Sequence, residues 1–220
     1  MPALYHPHDL VWMDSQAILH SDTPLPDWAV KQWRPDLPLV VRRARSPADQ
    51  LPTGIRGADR QQRCAIWVAQ EHIRRTLTPE QLAQQQTWYR HPHRQHLPAL
   101  QALSLLHAPL QALGMVWGIG GSTAYELATG LYILKTSSDL DLLLRCPVAP
   151  DRQALYTLAE YRHTLPCRLD IQLETPAGGV ALLDYLQAER VLVRTDSGPL
   201  LLDNPWASSP ARLPRHGSAA

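Results

Sequence analysis

The chain has 220 residues, 45% apolar and 19% charged, a composition that fits a folded domain and excludes a disordered charged tail. Its net charge of +1 gives no case for a generic nucleic-acid binder. Cys64, Cys146 and Cys167 are odd in number and contain no C-x-x-C pair, which argues against a disulfide framework or zinc knot and for a reducing, cytoplasmic setting.

The chain has twenty prolines and no phenylalanine, and the prolines favour many short elements. Strands are predicted around Val11–Met13 and Leu39–Arg43, while Leu51–Gly57 reads as a loop from its proline and glycines. Ala65, Val68, Ala69 and His72–Ile73 fall near one face of a helix predicted over Arg60–Arg75. Thr78-Pro79-Glu80-Gln81 has the form of a helix start, with Thr as cap and Pro at the first helical position. His91–Pro109 is proline-punctuated and gives no clear boundaries.

From Gly114 the pattern sharpens. Met115–Ile119 reads as a strand, Thr123–Ala128 as a short helix stopped at Gly130, and Leu140–Leu144 as a mostly buried strand. A helix over Asp151–Arg162, a period-two strand at Arg168–Leu173 and a helix near Val180–Glu189 follow. A hairpin across Asp196-Ser197-Gly198 completes the series. The expected organisation is a basic, strand-rich region (1–75), a helical connection (76–113), an α+β domain (114–206) and a loose tail (207–220). No segment has the length and apolarity of a membrane span, and no signal peptide is expected.

Chemistry concentrates in Gly120–Gly130 and Lys135–Leu144. Asp139 and Asp141 are two apart on a predicted strand, so period two sends both carboxylates to one face. Like charges so placed call for a cation, and Mg²⁺ prefers carboxylate and phosphate oxygens. Asp170, on another apolar-flanked strand, is a third candidate; together the three would hold two ions. Gly121-Ser122 at a strand-to-helix turn offers backbone N–H groups and a hydroxyl to a phosphate.

Gly121-Ser122 followed by Ser138-Asp139-Leu140-Asp141 resembles the nucleotidyltransferase superfamily of polymerase β type. The resemblance implies a mixed sheet with helices, preceded here by a small, mostly β region. Ser122 and Asp139 are 17 positions apart, which requires an inserted turn around Leu131–Thr136. A closer resemblance spans nearly the whole chain. His8-Asp-Leu-Val-Trp12, Gly54-Ile-Arg-Gly57, Arg60-Gln-Gln-Arg63, Arg168-Leu-Asp-Ile171, Gly178-Gly179, Arg194-Thr and Gly198-Pro199 resemble the phosphoribosyl-dephospho-CoA transferases of malonate decarboxylase. That resemblance implies a donor, 2′-(5″-triphosphoribosyl)-3′-dephospho-CoA, and an acceptor serine on the apo acyl-carrier subunit, with diphosphate released. It implies that Asp139 and Asp141 are the metal-binding catalytic pair and Asp170 a third member.

Arg56, Arg60 and Arg63 suit a triphosphate tail, because guanidinium forks pair with phosphate oxygens. Lys135 is a candidate for charge developing on the leaving diphosphate. Two rival readings remain: a nucleotidyltransferase using an ordinary NTP, and a non-catalytic binding protein of the same fold. His91, His93 and His96 read as surface residues rather than a zinc site, Glu126 as a helix-terminus charge, and the tryptophans as core. No Rossmann, P-loop or hydrolase-elbow motif occurs.

Overall fold

The computed structural model describes residues 5–14, 21, 23–47, 49–58 and 61–207. Two sheets account for the strands. The first is antiparallel, in the order β4-β3-β2-β1-β5, built from β1 (Leu10–Met13), β2 (Leu39–Val41), β3 (Gln50–Arg56), β4 (Arg63–Ala69) and β5 (Ile73–Leu77). A short helix, α1 (Asp27–Gln32), joins β1 to β2. The second has six strands in the reverse of chain order, β11-β10-β9-β8-β7-β6. They are β6 (Trp117–Ile119), β7 (Leu140–Arg145), β8 (Leu169–Thr175), β9 (Gly178–Ala181), β10 (Val191–Thr195) and β11 (Gly198–Leu202). Only β7 and β8 among them run parallel, and α5 (Arg152–Glu160) provides the crossover. The architecture is α+β with a β-rich N-terminal part.

Two sequence expectations fail here for physical reasons. Residues 63–69 form strand, not helix: Ile66 and Val68 are buried with period two, while Arg63 and Ala65 are exposed. The β-branched and aromatic run Ile66-Trp67-Val68 outweighs the helical spacing of its neighbours. Leu51–Gly57 is no loop either, because 50–56 is the strand β3 between β2 and β4. Pro52 is tolerated there because the β2 register ends at Val41↔Thr53, one residue before it. Gly54 lies under the Arg42 side chain, 3.3 Å from its Cδ for a built Cβ, and Arg42 Nε donates to Thr53 O at 2.8 Å.

Thr78 does cap α2 (Pro79–Gln85): its hydroxyl accepts from Gln81 N, and the Gln81 side chain accepts from Thr78 N. The stretch with open boundaries contains α3 (Pro98–Ala112), which has Pro98 in its first turn and Pro109 near its end. Its Leu100, Leu103, Leu106 and Leu110 are fully buried, each stabilising the fold by about 1.5–3 kcal/mol. The helix expected near Val180 begins later: β9 occupies Gly178–Ala181 and α6 covers Leu182–Gln187.

β1 is buried on both faces. Leu10 and Trp12 join the large core formed by α2, α3 and the second sheet, whereas Val11 and Met13 join the smaller core of the first. Alternation along four residues therefore ties the two sheets together. Among the described residues no helix is long and apolar enough to cross a membrane.

Candidate active site

Parallel pairing of β7 and β8 sets Asp141 directly opposite Asp170. Period two keeps both on one face while Leu140, Leu142, Leu144, Leu169, Ile171 and Leu173 fill the core behind. Asp139 precedes β7 and is 7% exposed. Each of the three carboxylates offers an oxygen within 4.8 Å of the other two. The structure thus brings together the three acids singled out in the sequence.

The turn between β6 and α4 (Gly121–Thr129) is laced to them. Gly120 N donates to Asp141 O at 2.9 Å. Gly121 adopts φ +58°, and a Cβ built on it would sit 1.8 Å from Asp141 Oδ2. Backbone conformation and space both demand glycine. No side chain caps α4, so its first N–H groups are left to face what lies beside the acids. Ser122 Oγ accepts from Arg56 Nη2 at 2.7 Å, so the first sheet reaches the second at this point. The Arg56 guanidinium lies 5.5 Å from the Tyr125 ring centre, a cation–π contact. Tyr125 is buried, which pushes its hydroxyl up to about 12 against the opposing pull of Arg56, and among the described residues that hydroxyl has no hydrogen-bond partner.

The other candidates are placed less centrally. Arg63 lies opposite Arg56 in the β3–β4 register but is exposed at the end of its strand. Lys135 is exposed in the turn before β7; its N–H donates to Ser138 Oγ and its carbonyl accepts from Ser138 N, both at 3.0 Å. Among the described residues the Lys135 ammonium makes no hydrogen bond or ion pair. Arg60 lies outside the described residues, as does the tail beyond 207.

Two features went unread in the sequence. Arg168 donates from Nε and Nη2 to Asp170 Oδ1 at 3.1 and 2.8 Å, a pairing that its period-two spacing from Asp170 already signalled. Glu126, 1% exposed, is more than a helix-terminus charge: its Oε2 accepts from Ile133 N at 2.7 Å and Leu134 N at 2.6 Å. This carboxylate pins the inserted turn that leads into Asp139. His91 Nε2 lies 3.0 Å from Glu126 Oε1, off the line of a good hydrogen bond, and its ring is packed away rather than on the surface. Burial pushes Cys146 up to about 12 and Cys167 up to about 11, so neither thiol is primed as a nucleophile.

Three converging carboxylates beside a glycine turn and an uncapped helix start define a class of site, one able to hold a hard divalent cation against a phosphate chain. Residues 6–79 match the N-terminal domain, and residues 81–205 the C-terminal domain, of phosphoribosyl-dephospho-CoA transferase MdcG. The chain belongs to this family. The phosphoribosyl-dephospho-CoA transferase of Klebsiella pneumoniae is 41% identical over 206 residues, covering 94% of this chain and 98% of the relative. That of Azotobacter vinelandii is 43% identical over 209 residues, covering 92% and 95%. That of Pseudomonas aeruginosa is 41% identical over 201 residues, covering 91% and 93%. No solved structure matches the chain.

Proposed function

We propose that this protein is a polymerase β-type nucleotidyltransferase that transfers the phosphoribosyl-dephospho-CoA group from 2′-(5″-triphosphoribosyl)-3′-dephospho-CoA to a serine of the apo acyl-carrier subunit of malonate decarboxylase. In this reading residues 1–75 form a basic N-terminal region, 76–113 a connection, 114–206 the catalytic domain and 207–220 a tail. The observation that carries it is the meeting of Asp139, Asp141 and Asp170 within 4.8 Å, in a chain of this family.

Asp139, Asp141 and Asp170 would hold Mg²⁺. Ligand oxygens on one octahedral ion lie roughly 3–4 Å apart. Three carboxylates with oxygens within 4.8 Å of one another would hold two such ions in this reading. Bound there, Mg²⁺ would lower the pKa of the acceptor hydroxyl and offset the charge of the leaving group. Gly121 N–H, the Ser122 hydroxyl and Arg56 would hold the leaving diphosphate, a reading supported by the Arg56–Ser122 hydrogen bond, with Arg60, Arg63 and Lys135 as further candidate cations. The serine oxygen forms a bond to the phosphorus nearest the phosphoribosyl group, the bond from that phosphorus to the bridging oxygen breaks, and diphosphate leaves. The serine proton passes to solvent. Asp170 Oδ1 already accepts two bonds from Arg168, which suits a positioned ligand better than a proton acceptor.

The test is to incubate the chain with Mg²⁺, the CoA-derived donor and apo carrier, and to weigh the carrier. Asp139→Asn should reduce transfer by about 10²–10³-fold, in line with losing positioned charge stabilisation, while leaving the circular dichroism spectrum unchanged. Near-normal turnover by Asp139→Asn would remove the site. Carrier labelled only by ordinary NTPs would establish the NTP-dependent alternative, and diphosphate release from no donor would establish a binding protein.

A further inference from the structure

On the acid-bearing face, β8 continues past Asp170 with Gln172 and then Glu174, each step of two residues advancing ~7 Å. The Gln172 amide is engaged at both ends. Its nitrogen donates to Glu174 and to His8 Nε2, the latter at 3.0 Å, and its oxygen accepts from Arg194 Nη1 at 3.0 Å. Accepting at Nε2 fixes His8 as the neutral ring protonated on Nδ1. Glu174 pairs with Arg43 from the segment that follows β2, and Arg145 pairs with Glu80 at 2.6 Å. Gly179 makes room for this junction, since a Cβ there would lie 2.7 Å from Gln172 Nε2 and 3.2 Å from Arg43 Nε.

Charge is left over. Glu174 and Glu80 each have an arginine, but Arg194 is held by a neutral amide and Arg45 by the Ser197 hydroxyl at 2.8 Å. Both arginines are exposed, and among the described residues the buried Nε of Arg43 has no hydrogen-bond partner. Neutral acceptors orient these guanidinium groups without cancelling them. His8, Gly179 and Arg194, three of the residues on which the sequence resemblance rests, meet here although none belongs to the acid site.

We infer that Arg194 and Arg45, backed by Arg43, form a second anion station that takes the diphosphate bridge within the dephospho-CoA part of the donor; this rests on the donor reading above. The sheet order supplies the direction. The glycine turn and Arg56 lie on the β6 side of the acids, and β10 lies on the other, two strands beyond β8. A donor whose leaving diphosphate sits at the turn extends its transferred group toward β10. A phosphoribose and an adenosine ribose separate the two phosphate groups; Arg194 lies on the Glu174 row, two steps along β8 from Asp170 and two strands across through Gly179, with its guanidinium reaching back to Gln172. The bridge carries two negative charges, suited to forked arginine bonds.

The test is calorimetric titration of the full chain with dephospho-CoA and, as a control, adenosine, for wild type, Arg194→Gln, Arg45→Gln and Arg194→Lys. Each Gln variant should weaken dephospho-CoA binding about tenfold, as expected for losing one charge-assisted bond. Adenosine binding should not change, and Arg194→Lys should recover part of the loss. In the transfer assay the same Gln variants should raise the donor KM far more than they lower kcat. Unchanged dephospho-CoA affinity in both Gln variants, or no wild-type binding, would overturn the station. The titration needs no turnover, so a wild type that binds dephospho-CoA yet transfers nothing from the donor would overturn the reaction and leave the station standing.

Discussion

Gly121→Ala isolates the contact between the glycine turn and the acids. The methyl group must be accommodated at φ +58°, and it would lie 1.8 Å from Asp141 Oδ2, 2.6 Å from Cγ and 2.9 Å from Cβ. Rotating the carboxylate does not relieve the contact with Cβ, so Asp141 or the turn must move by about 1 Å to restore a normal separation. The left-handed conformation alone costs about 1–2 kcal/mol, which at 2–4 °C per kcal/mol lowers Tm by roughly 2–8 °C. Displacing a positioned group by about 1 Å costs on the order of 10²-fold in rate. Gly130 supplies the control: it has φ +73° but nothing within 4 Å of a built Cβ. Gly130→Ala should therefore show a similar fall in Tm with transfer activity largely kept. Carrier labelling by mass spectrometry, with thermal melts of both variants, separates the effects. Equal activity losses in the two variants would show that backbone strain, not the approach to Asp141, is what alanine disturbs.

Glu126→Ala removes the acceptor for Ile133 N and Leu134 N, and each buried N–H left without a partner costs about 1–3 kcal/mol. Tm should fall by several degrees, and the Mg²⁺ concentration giving half-maximal transfer should rise as the turn before Asp139 loosens. Glu126→Gln, which keeps one oxygen for the two N–H groups, should restore most of both; a normal Mg²⁺ requirement in the alanine variant would show that the turn holds without the pin. The His8 ring is lowered from 6.5 to about 4, by burial first and then by Arg43, Arg145 and Arg194, with Glu174 opposing. Between those values the unfolded chain binds a proton that the folded chain refuses, so stability falls as pH is lowered through about 6.5 toward 4. Burial raises Glu174, but Arg43, Gln172 and His8 outweigh it and hold its carboxyl below the usual range, adding a further loss on acidification. In melts across this window, His8→Asn, which tolerates the φ of 77° at that position, should flatten the pH dependence; parallel curves would refute it.

The acid site was legible because period two is a local rule. Asp141 and Asp170 each stand between apolar residues that must face the core, so their own direction follows without knowledge of the partner strand, and Asp139 lies one period of two before Asp141. The helix stop at Gly130 and the Thr78 cap are likewise local, and both occur as read. What escaped was long-range. Pro52 and Gly54 look like loop residues until β2 and β4 lie on either side of them. Arg56 reaches Ser122 across 66 positions and Arg43 reaches Glu174 across 131, separations that no spacing within one segment encodes. Glu126 was read by its place on a helix, whereas its acceptors' partners lie on the turn seven and eight residues later.

The same long-range contacts tie the first sheet to the candidate site. Arg56 is delivered to Ser122 from the end of β3, and β3 is held through β2 to β1. β1 in turn places Leu10 and Trp12, 3% and 5% exposed, in the large core beneath the acids. Prying the sheets apart would return two such side chains to water at a cost of about 1.5–3 kcal/mol each, besides breaking the Arg43–Glu174 pair. Arg56 is thus held beside the glycine turn by the fold itself, and if the turn takes the leaving diphosphate as proposed, the entropy of orienting this guanidinium is spent on folding and not on binding.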